Sequence, residues 1–310
     1  MPEPTASPAH LRIQPLGVIV QEVIDDLKQR GTTPELPTGI PLLDDAIWGL
    51  HRSELTVIAA RPGEGKTSLC LQLCRHLADQ GRRVLFVSLE MTRHQLTERL
   101  LVQMTQTDAW PLRRGQGTAE FIAKLEPLKP IWGRFNLRFV DGTGYTIEQM
   151  RHLVNQLEAH GGTPDVLVVD FIQLIALESG LQRFDAIAEY LRMLKELAML
   201  HRMAVVVCSQ VNREASKNKN KRPTLGNLKG SGALEELADQ VIMCWWEELG
   251  SEEKPKGLKY WFLVEKQRHG PPGQMIPVRF DPHRLTFHAV EEEVANWHED
   301  GKPPEVVVTD

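Results

Sequence analysis

The chain has 310 residues, and its 42% hydrophobic and 25% charged residues are ordinary for a globular protein with one large domain or two small ones. Its net charge of −5 argues against a uniformly basic nucleic-acid binder but is compatible with local basic patches. No apolar run approaches the ~20 residues of a membrane span, and the first residues do not follow a secretory pattern, so we expect a cytoplasmic protein without a membrane partner.

The start of the chain predicts an amphipathic helix that follows a disordered tail. Residues 1–15 are rich in proline and small residues. Apolar residues then recur with helical spacing up to Gly31, at Leu16, Ile19, Val20, Val23, Ile24 and Leu27. This stripe docks either on the chain's own core or on another chain. We therefore expect a tail plus helix (1–31), a main domain (32–290) and an acidic C-terminal tail (291–310).

The main domain alternates apolar strands with amphipathic helices. This order predicts an α/β fold whose mostly parallel sheet is covered by helices on both faces. Cys70 and Cys74 lie one helical turn apart, and we expect them to pack as small hydrophobes rather than to bind metal. The predicted strands are 54–60, 82–90, 135–142, 165–175 and 203–211, the helices are 66–81, 92–105, 146–162 and 183–202, and the strand- or hairpin-like end comprises 239–246, 258–267 and 275–290.

The first of these strands runs into a candidate phosphate-binding loop. The segment "ARPGEGKTSL" fits the pattern GxxxxGK[ST] except that Ala60 replaces the first glycine. Gly63 and Gly65 allow backbone N–H groups to fold around phosphate oxygens, and the following helix presents its N-terminus to the same anion. Lys66 would reach the β- and γ-phosphates, and Thr67 would ligate Mg²⁺. The predicted nucleotide-binding residues are Ala60, Arg61, Pro62, Gly63, Glu64, Gly65, Lys66, Thr67 and Ser68.

Three further polar residues end neighbouring apolar strands. Asp170 ends "DVLVVD" and would complete the Mg²⁺ site. Glu90 ends "VLFVSLE" and would orient or deprotonate an attacking water. Gln210 ends "VVVCSQ" and would sense the γ-phosphate through its amide. Together with Lys66 and Thr67, these residues predict a site that hydrolyses a nucleoside triphosphate.

A pair of cations follows a later strand, in "EKQRHGPPG". Lys266 and Arg268 are two residues apart and so point to the same side, before a Gly-Pro-Pro-Gly turn. Taken alone, such a pair is usually a solvated rim of a strand.

The motifs occur in a specific order: "ARPGEGKTSL", "FVSLEM", "VVDFIQLI", "CSQVNR", "GSGALEELADQV" and "EKQRHGPPG". As a set they resemble the RecA-like motor domain of the DnaB-type replicative DNA helicases, from about Thr38 to about Phe287. The "SLEM", "SQVNR" and "KQRHGPPG" segments favour this family over RecA, RadA or KaiC-like relatives. The resemblance implies a RecA-like fold with a C-terminal β-hairpin region and a ring, usually a hexamer, that encircles single-stranded DNA. It also implies ATP and Mg²⁺ between subunits.

The resemblance assigns roles to the residues already singled out. Lys66 and Thr67 match the family's phosphate-loop pair, Glu90 its catalytic glutamate, Asp170 its metal-associated aspartate and Gln210 its sensor glutamine. Lys266 and Arg268 match the Lys-x-Arg pair that reaches the neighbour's nucleotide. The helix within residues 16–30 matches the linker helix that docks on a neighbouring subunit.

DNA contact in the family comes from central loops, which Arg183, Lys229 and Gly232 match. Many relatives have arginine and then an acidic residue where this chain has Lys229 and Gly230, which leaves phosphate contact possible but puts strand tracking in doubt. The basic run 217–222 is either a DNA-facing loop or a solvated one.

The family's helical N-terminal domain, which serves ring collaring and primase contact, has no counterpart in these residues. The chain is then either an excised motor domain or a short helicase of phage or plasmid type. We expect an ATP-dependent DNA helicase that moves 5′→3′ and partners a primase or a helicase loader. The alternatives are a RecA/RadA-like recombination ATPase and a RecA-fold loader or switch that does not unwind DNA.

Overall fold

The computed structural model describes residues 14–29, 31–176, 183–211, 222–228, 231–246 and 260–290. The helices are α1 (Leu16–Gln29), α2 (Pro41–Ile47), α3 (Lys66–Asp79), α4 (Arg93–Thr105), α5 (Ala109–Arg113), α6 (Thr118–Leu125), α7 (Lys129–Trp132), α8 (Ile147–Ala159), α9 (Arg183–His201) and α10 (Ser231–Leu237). The strands are β1 (Leu55–Ala60), β2 (Val84–Ser88), β3 (Leu137–Asp141), β4 (Val166–Asp170), β5 (Ala204–Gln210), β6 (Gln240–Trp246), β7 (Tyr260–Lys266), β8 (Gln274–Asp281) and β9 (Thr286–Ala289).

The nine strands of the described residues form one sheet in the order β3-β2-β4-β5-β1-β6-β7-β8-β9. Strands from β3 to β6 are parallel to their neighbours, and strands from β6 to β9 are antiparallel. The central strands β1, β2, β4 and β5 are almost entirely buried, as expected for apolar strands covered on both faces. The predicted fold, a mostly parallel sheet with a C-terminal hairpin region, is confirmed.

Alternate residues of each strand feed two separate cores. One core lies between the sheet and helices α8, α9 and α10, and it includes the strand residues Val57, Val87 and Val169. The second core lies between the opposite face of the sheet and helices α2, α3 and α4, and it includes Ile58 and Phe86. The two layers of helices hold the central strands rigidly, so the loops at the strand ends are well positioned.

Several element boundaries differ from the sequence expectations. The second strand ends at Ser88 rather than Glu90, and the fourth ends at Asp170 and is followed by a 3₁₀ turn at Ile172–Leu174. Ile172 and Ile175 still enter the core beside α9, and a short apolar run of this kind does not distinguish a strand from a buried turn. Helices α2, α5, α6, α7 and α10 were not predicted; they are four to eight residues long, too short for a clear periodic signal.

Helix α1 exists as predicted, and its apolar stripe is exposed. The side chains at Leu16, Ile19, Val23 and Leu27 are between 39% and 74% exposed, so the stripe is not docked on this chain's own core. Residues 1–13 and 291–310 lie outside the described residues. Cys70, Cys74, Cys208 and Cys244 are free thiols and buried, in agreement with the packing role expected for the first two. Among the described residues, none of the helices has the length and hydropathy required to cross a bilayer.

Candidate active site

The phosphate-loop segment forms a strand–loop–helix unit between β1 and α3. Gly63 and Gly65 have φ of 84° and 83°, a region that glycine enters without steric cost, and α3 begins at Lys66. A Cβ built on Gly63 would meet no atom within 4 Å, so the backbone leaves open space beside the helix N-terminus. This arrangement fits an anion that is held by backbone N–H groups and the helix dipole.

The phosphate loop is stabilised by Glu64, which occupies an unspecified position of the loop motif. Glu64 is fully buried, and its carboxylate accepts hydrogen bonds from the backbone N–H of Arg61, at 3.0 Å, and of Trp246. The Arg61 guanidinium lies 3.4 Å from the same carboxylate. The Tyr260 hydroxyl donates to the carbonyl oxygen of Glu64. Burial raises the pKa of Glu64, and the bonds from Arg61 and Trp246 oppose that rise.

Lys66, Thr67 and Asp170 meet at the end of this loop. The Lys66 ammonium lies 3.0 Å from one oxygen of Asp170, and the Thr67 hydroxyl donates to the other at 2.7 Å. Lys66 also lies 4.3 Å from the ring centre of Phe171. Burial acts to lower the pKa of Lys66, but neighbouring acidic groups that include Asp170 outweigh it, so the pKa is raised. Lys66 therefore remains protonated at neutral pH, the state that attracts phosphate.

Glu90 and Gln210 lie at the same end of the sheet as Asp170, because β2, β4, β5 and β1 are consecutive parallel neighbours whose carboxyl ends meet there. The N–H of Leu89 donates to the carbonyl oxygen of Asp170 at 2.8 Å, which places Glu90 one residue from that carbonyl, and Glu90 is exposed. Gln210 pairs in register with Ala60, at the start of the phosphate loop. The structure thus places Lys66, Thr67, Asp170, Glu90 and Gln210 at or just beyond the carboxyl ends of neighbouring parallel strands, a region we call the strand-end crevice.

The turn that carries Glu90 is stabilised by local hydrogen bonds. The Ser88 hydroxyl donates to the carbonyl oxygen of Met91 at 2.7 Å. Thr92 then begins α4 with a capping box, in which its hydroxyl accepts from the Gln95 N–H and the Gln95 side chain accepts from the Thr92 N–H. These bonds give Glu90 a defined place although it lies beyond the strand.

Arg99 joins this crevice, and no motif identifies it in the sequence. It is half-buried on α4, and its charge interacts with both Asp170 and Glu90. Burial and the nearby Arg113 charge lower the pKa of Arg99. A signal was present in the sequence: Arg99 lies three residues after Leu96 and four before Gln103, on the helix face that becomes buried. A cation on such a face points to an anionic partner.

Lys266 and Arg268 lie near the amino ends of the parallel strands, whereas their own phosphate loop lies at the carboxyl ends. Strand β7 runs antiparallel to β6: Tyr260 pairs with Trp246, and Lys266 pairs with Val241. The Tyr260 end touches the loop through Glu64, and the seven residues of β7 carry the chain about 20 Å away from it. The two cations contact the junction between α10 and β6 instead, and both face that one junction, as their spacing predicts.

The predicted DNA-contacting residues are only partly described. Arg183 begins α9, but its side chain lies outside the described set, as does Lys229. Gly232 lies exposed in the first turn of α10 rather than in a loop. The run 217–222 is outside the described residues except for Arg222, which forms an ion pair with Glu265 at 2.8 Å.

Comparison with known proteins agrees with this geometry. The family described as "DnaB-like helicase C terminal domain" matches residues 35–289. The chain is 32% identical over 237 residues to a probable plasmid replicative DNA helicase of Chlamydia psittaci, covering 76% of this chain and 51% of that relative. The chain thus spans about half the length of that relative.

Two solved structures share the fold. One, described as an ATPase domain, superposes with a TM-score of 0.83 at 23% identity, covering 90% of this chain and 100% of that one. A DnaB-like replicative helicase, solved in a study of its interactions with primase, superposes with a TM-score of 0.81 at 24% identity, covering 88% of this chain and 68% of that one. With a family match over most of its length and this fold, the chain belongs to the DnaB-like helicase C-terminal domain family.

Proposed function

We propose that this chain is the ATP-hydrolysing motor of a ring-forming DNA helicase, usually a hexamer, that moves 5′→3′ along single-stranded DNA. The observation that carries the proposal is that the predicted catalytic residues lie at opposite ends of the strands of one sheet. Lys66, Thr67, Asp170 and Glu90 lie at the carboxyl ends of the parallel strands, whereas Lys266 and Arg268 lie near their amino ends. A second copy of the chain is needed to bring both halves to one nucleotide.

The residues at the strand-end crevice fit ATP and Mg²⁺. The open space at Gly63 and the N-terminus of α3 suit phosphate oxygens, and Lys66 supplies the positive charge. Thr67 and Asp170 offer the hard oxygen donors that Mg²⁺ prefers, and their mutual hydrogen bond places both at the same point. Bound there, Mg²⁺ would neutralise charge on the phosphates.

The remaining groups of the crevice divide the chemistry of hydrolysis. Glu90 is exposed at the crevice and orients or deprotonates the attacking water. Gln210 senses the γ-phosphate by donating a hydrogen bond from its amide. Arg99 supplies a positive charge that interacts with the carboxylates of Asp170 and Glu90. Arg268 and Lys266 of the neighbouring copy stabilise the charge that develops on the transferred phosphoryl group.

Ring assembly and DNA contact complete the proposal. The exposed apolar stripe of α1 packs on a neighbouring copy, because exposed side chains such as Leu16 and Leu27 otherwise remain in water. We assign DNA contact to Arg183, Lys229 and Gly232, which would bind the backbone without reading sequence. The helicase acts in the cytoplasm, and its partners include a primase or a helicase loader.

The decisive experiment mixes two inactive variants of the full chain. Arg268→Ala removes the cation offered to the neighbour, and Lys66→Ala disables a subunit's own loop; each alone is expected to assemble into rings but hydrolyse almost no ATP. Mixed rings contain some interfaces with both parts intact, so part of the activity returns. Arg151→Ala is the matched control, because it removes an exposed arginine whose surface ion pair with Glu148 contributes little.

Three outcomes would refute the proposal. Normal ATP hydrolysis by Arg268→Ala alone would make the pair a solvated rim of the strand. Hydrolysis without unwinding of forked DNA would indicate a loader or switch, and assembly into filaments would indicate a recombination ATPase. Forks with a 5′ or a 3′ single-stranded arm test the direction of movement.

A further inference from the structure

Asp239 is a buried carboxylate at the entry to β6 that binds three donors from three different elements. It is 1% exposed. One oxygen accepts the backbone N–H of Leu55 at 2.7 Å and the Lys195 ammonium at 2.5 Å. The other oxygen lies 2.5 Å from Nε of Arg268. The carboxylate is therefore anchored on one side by the sheet and by α9, and offers its remaining oxygen to the arginine.

The contact is made through the inner nitrogen of the guanidinium. Nε is the nitrogen nearest the stem, so the charge of Asp239 holds the guanidinium close to the start of β6. Arg268 nevertheless remains 57% exposed, and among the described residues Asp239 is its one recorded ion-pair partner. A guanidinium that is more than half exposed retains N–H donors for phosphoryl oxygens.

Lys266 is held at the same place by a different means. Its ammonium donates to the carbonyl oxygens of Glu235 and Glu236, in the last turn of α10, where carbonyls of a helix lack partners. Burial and the neighbouring Arg268 charge lower the pKa of Lys266. Both cations therefore contact the α10–β6 junction, which is formed by Glu235, Glu236 and Asp239. The first turn of α10 contains the proposed DNA-contacting position Gly232.

We infer that Asp239 is a positioning residue for ATP hydrolysis in the neighbouring subunit: its ion pair holds the exposed guanidinium of Arg268 where it can reach across the subunit boundary. This inference rests on the proposed function, because it requires Arg268 to act on a neighbour's nucleotide. It differs from a resting contact that withholds the arginine, because breaking such a contact would raise hydrolysis rather than lower it.

The test is Asp239→Asn in the full chain, because asparagine offers one acceptor oxygen to three donors. We expect kcat for ATP to fall about ten- to hundredfold, the size of effect that follows loss of aim at a catalytic group, with KM and nucleotide binding nearly unchanged. The matched control is Asp165→Asn, which breaks another buried carboxylate's contact with an arginine, Arg52 at 2.8 Å, and is expected to leave kcat within about twofold.

A double-mutant cycle separates aiming from general damage to the fold. If Asp239 acts through Arg268, then Asp239→Asn in an Arg268→Ala background lowers the residual hydrolysis no further. In rings mixed with Lys66→Ala subunits, Asp239→Asn subunits regain activity, because their own phosphate loops are intact. Independent losses in the double variant would mean that Asp239 acts on the fold alone.

Unchanged or increased hydrolysis by Asp239→Asn would overturn the inference while an inactive Arg268→Ala still supported the proposed function. An active Arg268→Ala would instead overturn the proposed function itself. A measurement on the unmodified chain covers the case in which Asp239→Asn does not fold. The Nε nitrogen of Arg268, identified by its loss in Arg268→Lys, should have a higher NMR order parameter than the Nε nitrogen of Arg151, because its ion-pair partner is buried and anchored. Equal order parameters would also refute the ion pair with Asp239.

Discussion

Replacing Gly65 by alanine tests whether the C-terminal hairpin supports the phosphate loop. Gly65 has φ of 83°, and a Cβ built on it would lie 2.9 Å from Cζ of Phe280 and 3.0 Å from Cζ of Phe287. These rings stack on each other with centroids 4.4 Å apart, and both also pack against Tyr260. All three side chains are buried, so the rings have little room to retreat.

Gly63 provides a matched control in the same loop. Its φ of 84° is almost identical, but its added Cβ would meet no atom within 4 Å. Both alanine variants incur the left-handed backbone penalty of about 1–2 kcal/mol. Only Gly65→Ala adds the overpacking term, typically ~1–3 kcal/mol. We therefore expect Gly65→Ala to lower the free energy of unfolding by roughly 2–5 kcal/mol and Gly63→Ala by about 1–2 kcal/mol.

Urea unfolding of the two variants without nucleotide measures the difference directly. The comparison is made without nucleotide because a methyl group on Gly63 would also meet bound phosphate. Adding Phe280→Leu to Gly65→Ala should make the combined loss smaller than the sum of the single losses, since the smaller side chain relieves the contact. Equal losses for the two alanine variants, or an additive double variant, would refute the idea that the aromatic rings form a tight floor under the loop.

Three further predictions concern chemistry, assembly and pH. Glu90→Gln should reduce ATP turnover about 10²–10⁴-fold while binding of a fluorescent ATP analogue changes little, and near-normal turnover would exclude Glu90 as the base. Deleting residues 1–31 should give a smaller oligomer by light scattering with an unchanged circular dichroism spectrum, because the apolar stripe of α1 is exposed; an unchanged oligomer would mean that the stripe does not bind a neighbour. Burial acts to raise the pKa of Asp165, but hydrogen bonds from Arg83 and Arg52 outweigh it and lower the pKa. The stability from a lowered carboxyl pKa is present above the unfolded pKa of ~3.9 and is lost as pH falls through the folded value. In urea unfolding, Asp165→Asn should therefore be ~1–3 kcal/mol less stable than the unmodified chain at pH 7 and closer to it at pH 3, and an equal deficit at both would contradict this account.

The strand-end rule allowed residues far apart in sequence to be placed together. Thr67 and Asp170 are 103 positions apart, yet Asp170 ends one buried parallel strand and Thr67 follows another across the phosphate loop, and the structure joins them with a 2.7 Å hydrogen bond. The same rule places Gln210 beside Ala60. These predicted positions agree with the structure because a local signal, an apolar strand followed by a polar residue, is enough to place a residue once the sheet is parallel.

Residues whose importance depends on tertiary contacts carry no such signal. Glu64 occupies an unspecified position of the loop motif, and only the folded hairpin brings Tyr260 and Trp246 to it. Asp239 looks like an ordinary residue before a strand, but it meets donors from β1, from α9 and from the end of β7. Contacts of this kind arise from chain segments with no common periodicity, so a single sequence does not predict them.

If Arg268 acts on a nucleotide, as proposed, the position of β7 requires that nucleotide to belong to a second copy. To reach the loop of its own subunit, Arg268 would have to move to the opposite end of β7. That strand is hydrogen-bonded to β6 on one side and to β8 on the other, so it cannot shift easily. The Arg268 side chain spans only a fraction of the roughly 20 Å length of that strand. The same strand fixes Tyr260 under its own subunit's loop, so the distance between loop and arginine is set by one unbroken element. Under the proposed function, a rigid separation of this kind favours catalysis between subunits over any rearrangement within one. It also makes the placement of the arginine depend on the residues at its own end of the strand, above all Asp239.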